Sequence, residues 1–301
     1  MRAAVIINKS AGTASNGKDI TEQLNRLLCA CRVESEIFLI EAREIKKQIE
    51  ALIPKGFDTV VIAGGDGTLS SGASVLAGTD IPMGIIPLGT LNHFARDLGI
   101  PLEIENSVKL IAKGRPRKVD IGEVNGNIFI NNSSVGLYPR AVKFRDKHIE
   151  RLGAGKWLAM IMASLSVFTR FPLFNIRLET DEKIITRRTP FVFIGNNEYK
   201  LDLFNLGKRE TLQGGKLSLY TAHIMGRWSL LKIAFLALIN RLDQTENFDL
   251  QFVENIRLET RKRKVAVSLD GEVIHLAPPL HYKIRPLGLN VILPEKDQEP
   301  K

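Results

Sequence analysis

The chain has 301 residues, of which 44% are hydrophobic and 25% are charged, a balance typical of a globular protein with one large or two ordinary domains. This composition excludes a disordered tail, a collagen-like fibre and a low-complexity linker. Its 42 Lys and Arg residues exceed its 33 Asp and Glu residues, and the formal net charge of +9 points to nucleic acid, nucleotides or an anionic membrane surface as partners.

Strands alternate with helices in the first half of the chain. Buried strands are predicted over 3–7, 36–40, 59–63 and 83–86, and helices follow each of them. The first helix has an apolar face formed by Ile20, Leu24, Leu27 and Leu28, and the last one ends at Leu98 before Gly99. This alternation predicts a parallel sheet with nucleotide-type loops at its strand ends.

Cys29 and Cys31 are the two cysteines, and they are two positions apart on the first predicted helix. Their side chains therefore point away from each other, so we expect no disulfide between them and a reducing, cytoplasmic compartment. The apolar N-terminal run is too short for a signal peptide, and the longest apolar stretch, 229–239, is too short to span a membrane.

The second half, from about Val119, is rich in short β-runs separated by Asn-Gly, Gly-Gly and Asp-Gly turns. Helices are predicted over 157–168 and 228–239. Strands are predicted over 118–124, 127–131, 174–179, 183–194, 215–223, 252–259, 264–269 and 280–285. We therefore predict an α/β nucleotide-binding domain over 1–120, with 286–301 packing back on it, and a β-sandwich domain with inserted helices over 121–285.

The loop Gly64-Gly65-Asp66-Gly67-Thr68 follows a buried strand and opens a helix. Its glycines let backbone N–H groups approach an anion, and the helix N-terminus adds a favourable dipole. Asp66 could orient a metal or a lysine, and Thr68 could cap the helix or bond a phosphate oxygen. The alternative is a plain tight turn. The chain contains no G-x-x-x-x-G-K-[ST], no complete G-x-G-x-x-G and no H-E-x-x-H, which disfavours P-loop, dinucleotide and zinc-protease sites.

Four motifs occur in order along the chain: Asn8 to Gly12, Gly64 to Thr68, Pro87-Leu88-Gly89-Thr90-Leu91-Asn92, and Asp270-Gly271-Glu272. Together they resemble the diacylglycerol kinase catalytic domain of bacterial lipid kinases, a family that includes sphingosine and ceramide kinases. The glycine motif alone is shared with NAD kinases and phosphofructokinases, and the resemblance implies a similar nucleotide-binding fold. Without the other motifs, Asp270-Gly271 would be interpreted as a hairpin turn.

The resemblance implies ATP-dependent phosphorylation of a lipid hydroxyl, with Mg²⁺, in a cleft between the two domains. Asp270 would be the general base and Glu272 would assist in metal binding or orientation. The ATP site would be lined by Asn8, Ser10, Gly12, Gly64, Gly65, Asp66, Gly67, Thr68, Gly89, Thr90 and Asn92. Family members often pair, so a homodimer is compatible with the resemblance.

The sequence departs from the family at three places. His93 replaces an aspartate, and Ser70-Ser71 replaces an Asn-Glu pair. Gly214 and Ser218 replace the two aspartates of the family's structural magnesium site, which puts that site in doubt. Asn196-Asn197-Glu198 is similar to the ribose-binding pair of NAD kinases, although a turn at a strand end is the simpler interpretation.

Basic and aromatic residues cluster in 151–178 and 226–242, and Arg261-Lys262-Arg263-Lys264 forms a basic turn. Such segments are typical of docking on an anionic bilayer, and the alternative is that their apolar faces pack on the sandwich. No motif for DNA or RNA recognition is present, so nucleic acid is not expected as a partner. We predict a peripheral lipid kinase at the inner face of the membrane. The alternatives are a soluble NAD-type kinase and a non-catalytic lipid- or nucleotide-binding regulator.

Overall fold

A computed structural model describes residues 1–10, 17–136, 173–198, 209, 211–222 and 248–295. The predicted helices over 157–168 and 228–239, most of the basic segments around them, and Gly12 lie outside these residues.

Four parallel strands form one end of a ten-stranded sheet. They are β1 (Arg2–Asn8), β2 (Glu34–Ile40), β3 (Thr59–Gly64) and β4 (Met83–Pro87). Their order is β2-β1-β3-β4, and β1, β3 and β4 are buried along nearly their whole length. The continuous apolar runs of the sequence arise because both faces of this sheet are covered.

Five described helices cover those faces. They are α1 (Gly17–Ala30), α2 (Ile45–Leu52, preceded by a 3-10 turn over Ala42–Glu44), α3 (Asp66–Leu76), α4 (His93–Asp97) and α5 (Ile104–Lys113). α1 and α5 contribute Leu24 and Val108 to one core, whereas α2, α3 and α4 pack Ile49, Leu69 and Phe94 on the opposite face. α5 is not among the helices predicted from the sequence. Within the described residues, no helix has the length and apolar character needed to cross a membrane.

The parallel strands continue into an antiparallel region through one long strand, β16 (Leu280–Leu293). The other members are β5 (Arg115–Val124), β6 (Asn127–Phe129), β8 (Phe174–Thr180), β9 (Ile184–Thr189) and β13 (Asn255–Glu259). β16 pairs in parallel with β4 at Val291 and Met83, and antiparallel with β5 and β13. The domain boundary predicted at residue 120 falls inside β5.

A second sheet is wholly antiparallel. It consists of β7 (Asn132–Gly136), β10 (Phe191–Asn196), β11 (Leu217–Ala222), β12 (Phe248–Val253), β14 (Val265–Leu269) and β15 (Glu272–Leu276). Their order is β12-β11-β10-β7-β14-β15. Val135, Ile194 and Val267 of this sheet share a buried core with Leu178 and Leu258 of the first sheet. The predicted combination of an α/β region and a β-rich sandwich is confirmed.

Two predicted strands are wrong, because each is two strands that belong to different sheets. The run 183–194 divides at Pro190, which has no N–H for a ladder, into β9 of the first sheet and β10 of the second. The run 252–259 divides at Glu254 into β12 and β13. The Asp181 carboxylate accepts the N–H groups of Glu254 and Asn255 at 2.8 and 2.9 Å, and it stabilises this second crossing.

Candidate active site

The carboxyl ends of β1, β3 and β4 meet at one edge of the sheet, as the parallel order requires. Asn8, at the end of β1, donates from its side-chain amide to Thr68 Oγ1 at 2.8 Å, and both residues are buried. The Asn8 side-chain oxygen accepts the N–H of Ser10 at 3.0 Å. These bonds occupy the side chains of Asn8 and Thr68, so both residues hold the loops together.

The glycine loops after β3 and β4 are in direct backbone contact. A Cβ atom added at Gly89 would lie 2.6 Å from Gly65 Cα, so neither loop has room for a side chain there. Asn92, buried and left-handed at φ 52°, accepts the N–H of Gly89 at 3.0 Å and donates to its carbonyl at 2.8 Å. Asn92 therefore closes its own loop, and Thr90 is exposed within that loop.

Asp66 connects the two loops through the start of α4. Its carboxylate accepts the backbone N–H groups of His93 at 3.2 Å and Phe94 at 3.1 Å. An acceptor at this position satisfies N–H groups that have no partner within the helix. The residue expected to orient a metal or a lysine thus acts as a cap for α4, while it also borders the cleft described next.

A cleft of about 480 Å³ opens over these loops. Among the predicted site residues, its lining includes Asn8, Ser10, Gly65, Asp66, Gly67, Thr68, Gly89 and Glu272. Gly64, Thr90, Asn92 and Asp270 are not part of that lining, and Gly64 instead packs against the Thr68 side chain. The glycine loop and the late acidic motif, more than 200 residues apart in the chain, therefore border one cavity.

Two cations of the cleft were missed by the sequence analysis. Arg43 and Lys46, in the 3-10 turn and the first turn of α2, line the cleft and are exposed. They follow the end of β2, another parallel strand of the same sheet edge. That position is the signal that could have identified them, because no short motif contains them.

Asp270 lies at the turn between β14 and β15, in a left-handed conformation with φ 48°. One carboxylate oxygen accepts the N–H groups of Asn131 and Asn132 at 2.8 and 3.0 Å. The other accepts the N–H of Ile130 at 2.9 Å and the Ser70 hydroxyl at 2.7 Å. Burial raises the pKa of Asp270 above its usual range, although these hydrogen bonds act in the opposite direction.

Glu272 stands two residues beyond Asp270 at the start of β15, and it is exposed in the cleft. Its carboxylate would be 3.8 Å from a Cβ atom added at Gly67, so it faces the first turn of α3. Mg²⁺ in nucleotide sites is commonly held by one or two carboxylates together with phosphate oxygens and water. Glu272 and Asp66, which border the same cleft, fit that requirement.

Arg209 is a further residue that the sequence analysis missed. It pairs with Asp97 at 2.7 Å, with both side chains almost fully buried, and its remaining donors reach the Ile130 carbonyl and the Asn131 side chain. Burial raises the pKa of Asp97, while the charge and hydrogen bonds of Arg209 lower it in part. No motif contains Arg209, because its partners come from distant parts of the chain.

The loop around Gly214, where the family's structural magnesium site would lie, is held by hydrogen bonds to other residues of the protein. The N–H of Gly214 donates to the Asn197 side chain and that of Gly215 to the Asp120 carboxylate, each at 2.8 Å. Asn196 is buried and donates to the backbone carbonyls of Asp120 and Ile130. Within the part of the chain that the structure describes, no three His, Cys, Asp or Glu side chains gather into a metal site. The Asn196-Asn197 pair thus serves the packing of strand ends.

Comparison with known proteins agrees with this geometry. Residues 2–124 match the family model of the diacylglycerol kinase catalytic domain. An uncharacterised protein from Synechocystis is 29% identical over 264 residues, covering 84% of this chain and 60% of that protein. A diacylglycerol kinase from Staphylococcus aureus is 31% identical over 198 residues, covering 64% of this chain and 62% of that enzyme. The matches thus span about three fifths of the length of these curated relatives.

The fold is shared with a solved structure. The crystal structure of a diacylglycerol kinase from Bacillus anthracis str. Sterne superposes with a TM-score of 0.69 at 20% sequence identity. The superposition covers 98% of this chain and 97% of that one. The two chains therefore share a fold.

Proposed function

We propose that the chain transfers the γ-phosphate of ATP to a lipid hydroxyl, because residues 2–124 match the family model of the diacylglycerol kinase catalytic domain. One observation carries the proposal: Ser70 of α3 donates to Asp270 at 2.7 Å, across 200 residues of sequence. This bond brings the acidic motif of the second sheet to the helix that begins at the glycine loop. In this proposal, the site for ATP at the glycine loop and the base Asp270 lie next to each other.

The proposed reaction is an in-line displacement. The lipid hydroxyl oxygen attacks the γ-phosphorus, the bond from that phosphorus to the β–γ bridging oxygen breaks, and ADP leaves. Asp270 accepts the hydroxyl proton. Because all four hydrogen bonds to its carboxylate are internal, the lipid hydroxyl must replace one donor. Ser70 is the side-chain donor, and rotation of its hydroxyl would vacate that position without moving the backbone.

The phosphates would lie over the first turn of α3, where Gly67 leaves the backbone open and the helix dipole favours an anion. Arg43 and Lys46 also line the cleft and would supply positive charge to the phosphates. Glu272 and Asp66, which both line the cleft, are the carboxylates that would hold Mg²⁺, and that ion would neutralise charge on the phosphates of bound ATP. These residues bind and orient the nucleotide, while Asp270 handles the proton.

Action at a membrane surface is part of the proposal. The basic turn Arg261–Lys264 joins β13 to β14, and all four side chains are exposed. On an anionic bilayer each such charge contributes about 1 kcal/mol of attraction. A chain with a net charge of +9 that acts on lipids gains local concentration from such a surface.

The test is a transfer assay with labelled ATP and vesicles that contain diacylglycerol, a sphingoid base or ceramide, in neutral or anionic phospholipid. We expect a labelled lipid product, formed faster on anionic vesicles and slowed by added salt. NAD without vesicles is the soluble alternative acceptor. Phosphorylation of NAD alone, or binding of ATP and lipid with no product, would contradict the proposal.

Lys46→Ala is expected to raise the KM for ATP about tenfold or more, with kcat largely retained. A hydrogen bond to a charged group is worth about 1.5–3 kcal/mol, and the lost contact is to phosphates that carry charge before and during transfer. Steady-state kinetics at varied ATP measure this. The control is Lys47→Ala, the exposed neighbour on α2 that does not line the cleft. Equal KM values for the two variants would remove Lys46 from the site.

A further inference from the structure

The segment Ile130–Asn132 is held from two sides. Its three N–H groups all point to the Asp270 carboxylate, at 2.8–3.0 Å. On its other side, the Ile130 carbonyl accepts from Arg209 at 2.7 Å and the Asn131 side-chain oxygen accepts from Arg209 at 2.8 Å. The position of the carboxylate thus depends on a short backbone segment that Arg209 binds, together with Asn196, which also donates to the Ile130 carbonyl at 3.0 Å.

Arg209 is itself fixed by the helix that leaves the nucleotide loop. Its Nε donates to Asp97 at 2.7 Å, and its guanidinium lies 5.9 Å from the centre of the Phe94 ring. Asp97 and Phe94 both belong to α4, and the first N–H groups of α4 are bound by Asp66 of the glycine loop. A continuous chain of contacts therefore runs from the glycine loop through α4 and Arg209 to the segment that holds Asp270.

We propose that Arg209 is a positioning residue that sets the place of Asp270 relative to the nucleotide loops, through the segment Ile130–Asn132. The inference rests on the proposed function, in which Asp270 is the base. A planar guanidinium suits this task because its fixed fork of donors reaches a carboxylate, a carbonyl and an amide oxygen at once. A lysine ammonium carries the same charge on a flexible stem, and it cannot reproduce this geometry.

The first test is the kinetics of Arg209→Lys. A displacement of about 1 Å at a reacting group can cost about 10²-fold in rate, so we expect kcat to fall by that order while the KM for ATP is unchanged. The KM is expected to stay because Arg209 does not line the cleft. The second variant, Asn131→Ala, removes one acceptor of Arg209 and leaves no charge unpaired, so it is expected to lower kcat less.

The second test does not depend on catalysis. Amide hydrogen exchange at residues 130–132 is expected to be faster in Arg209→Lys and in Asn131→Ala than in the unaltered protein. Arg187→Gln is the matched control: Arg187 of β9 pairs with Asp249 of β12 at 2.6 Å and donates to Thr221, so its loss removes a partly buried ion pair whose members do not line the cleft. We expect it to lower the unfolding temperature and leave both kcat and exchange at 130–132 unchanged.

The outcomes separate this inference from the proposed function. Unchanged kcat and unchanged exchange at 130–132 in Arg209→Lys would overturn the inference, as would an equal fall of kcat in Arg187→Gln. If Arg209→Lys fails to fold, Asn131→Ala decides by the same two measurements. If the unaltered protein phosphorylates no lipid, the proposed function fails, and the positioning role of Arg209 fails with it even where exchange shows that it holds the segment.

Discussion

Asp270→Asn is expected to lower the rate of phosphate transfer by about 10²- to 10⁴-fold, which is the usual contribution of a positioned general base. The affinity for ATP should be unchanged, because Asp270 does not line the cleft proposed to bind it. The amide of the variant cannot accept a proton from the lipid hydroxyl. Steady-state transfer to vesicle-bound lipid and equilibrium binding of ATP, measured on the same preparation, test both statements.

The same substitution also has a structural cost. The asparagine keeps one acceptor oxygen for Asn131 and Asn132, and its NH₂ group then faces the N–H of Ile130, which loses its partner. A buried donor without a partner costs about 1–3 kcal/mol, so the unfolding temperature must be measured with the rate.

Asp181→Asn supplies the matched control for that substitution. Asp181 is another turn aspartate, and its carboxylate accepts the N–H groups of Glu254 and Asn255 away from the cleft. We expect Asp181→Asn to lose stability and to keep transfer. Normal turnover in Asp270→Asn, or equal loss of turnover in both variants, would contradict the assignment of the base.

The α/β half of the fold follows closely from the sequence, because its strands are apolar runs that end in glycine or polar loops. The runs at 59–63 and 83–86 become β3 and β4, each lengthened by one or more residues at its loop end. A parallel order then forces Asn8, Gly65 and Gly89 to one edge. Local patterns suffice here because burial on both faces and the loop chemistry specify the same arrangement.

The second half is less predictable, because its strands choose partners by tertiary packing. The run 183–194 has one β-rich composition throughout, yet β9 pairs with β8 and β10 pairs with β7 and β11. Composition does not encode which sheet a strand joins. The contacts of Arg209 and the Ser70–Asp270 bond could not be predicted from the sequence for the same reason. They join residues that meet only when both sheets are assembled.

Several residues of the family motifs act differently from a simple ligand role. Asn92 closes its own loop, Asp66 caps α4, and Asn8 holds Thr68. The motifs single out these positions, but they do not reveal that the polar groups of these residues are already bonded within the protein. Apart from Asp66, the charged residues that line the cleft, Arg43, Lys46 and Glu272, come from outside the glycine loops.

Gly89→Ala is expected to destabilise the fold and to abolish tight nucleotide binding. Its Cβ atom would lie 2.6 Å from Gly65 Cα and 2.8 Å from the Asn92 side-chain oxygen, whereas ordinary contacts begin at 3.4 Å. The clash with Gly65 Cα is with a backbone atom, so a change of side-chain rotamer cannot relieve it. The two loops must therefore move apart. Overpacking of this kind costs about 1–3 kcal/mol. Each 1.4 kcal/mol of this cost that is lost from the binding free energy weakens ATP binding about tenfold.

Gly67→Ala provides the comparison, because it makes the same chemical change in the adjacent loop. A Cβ atom there would lie 3.8 Å from Glu272, an ordinary contact, and the position is helical, where alanine is favoured over glycine by about 1 kcal/mol. Thermal unfolding should therefore rank Gly67→Ala at or above the unaltered protein and Gly89→Ala below it. If Gly89→Ala retained both the unfolding temperature and the ATP affinity, the close packing of the two glycine loops could not be what shapes the nucleotide site.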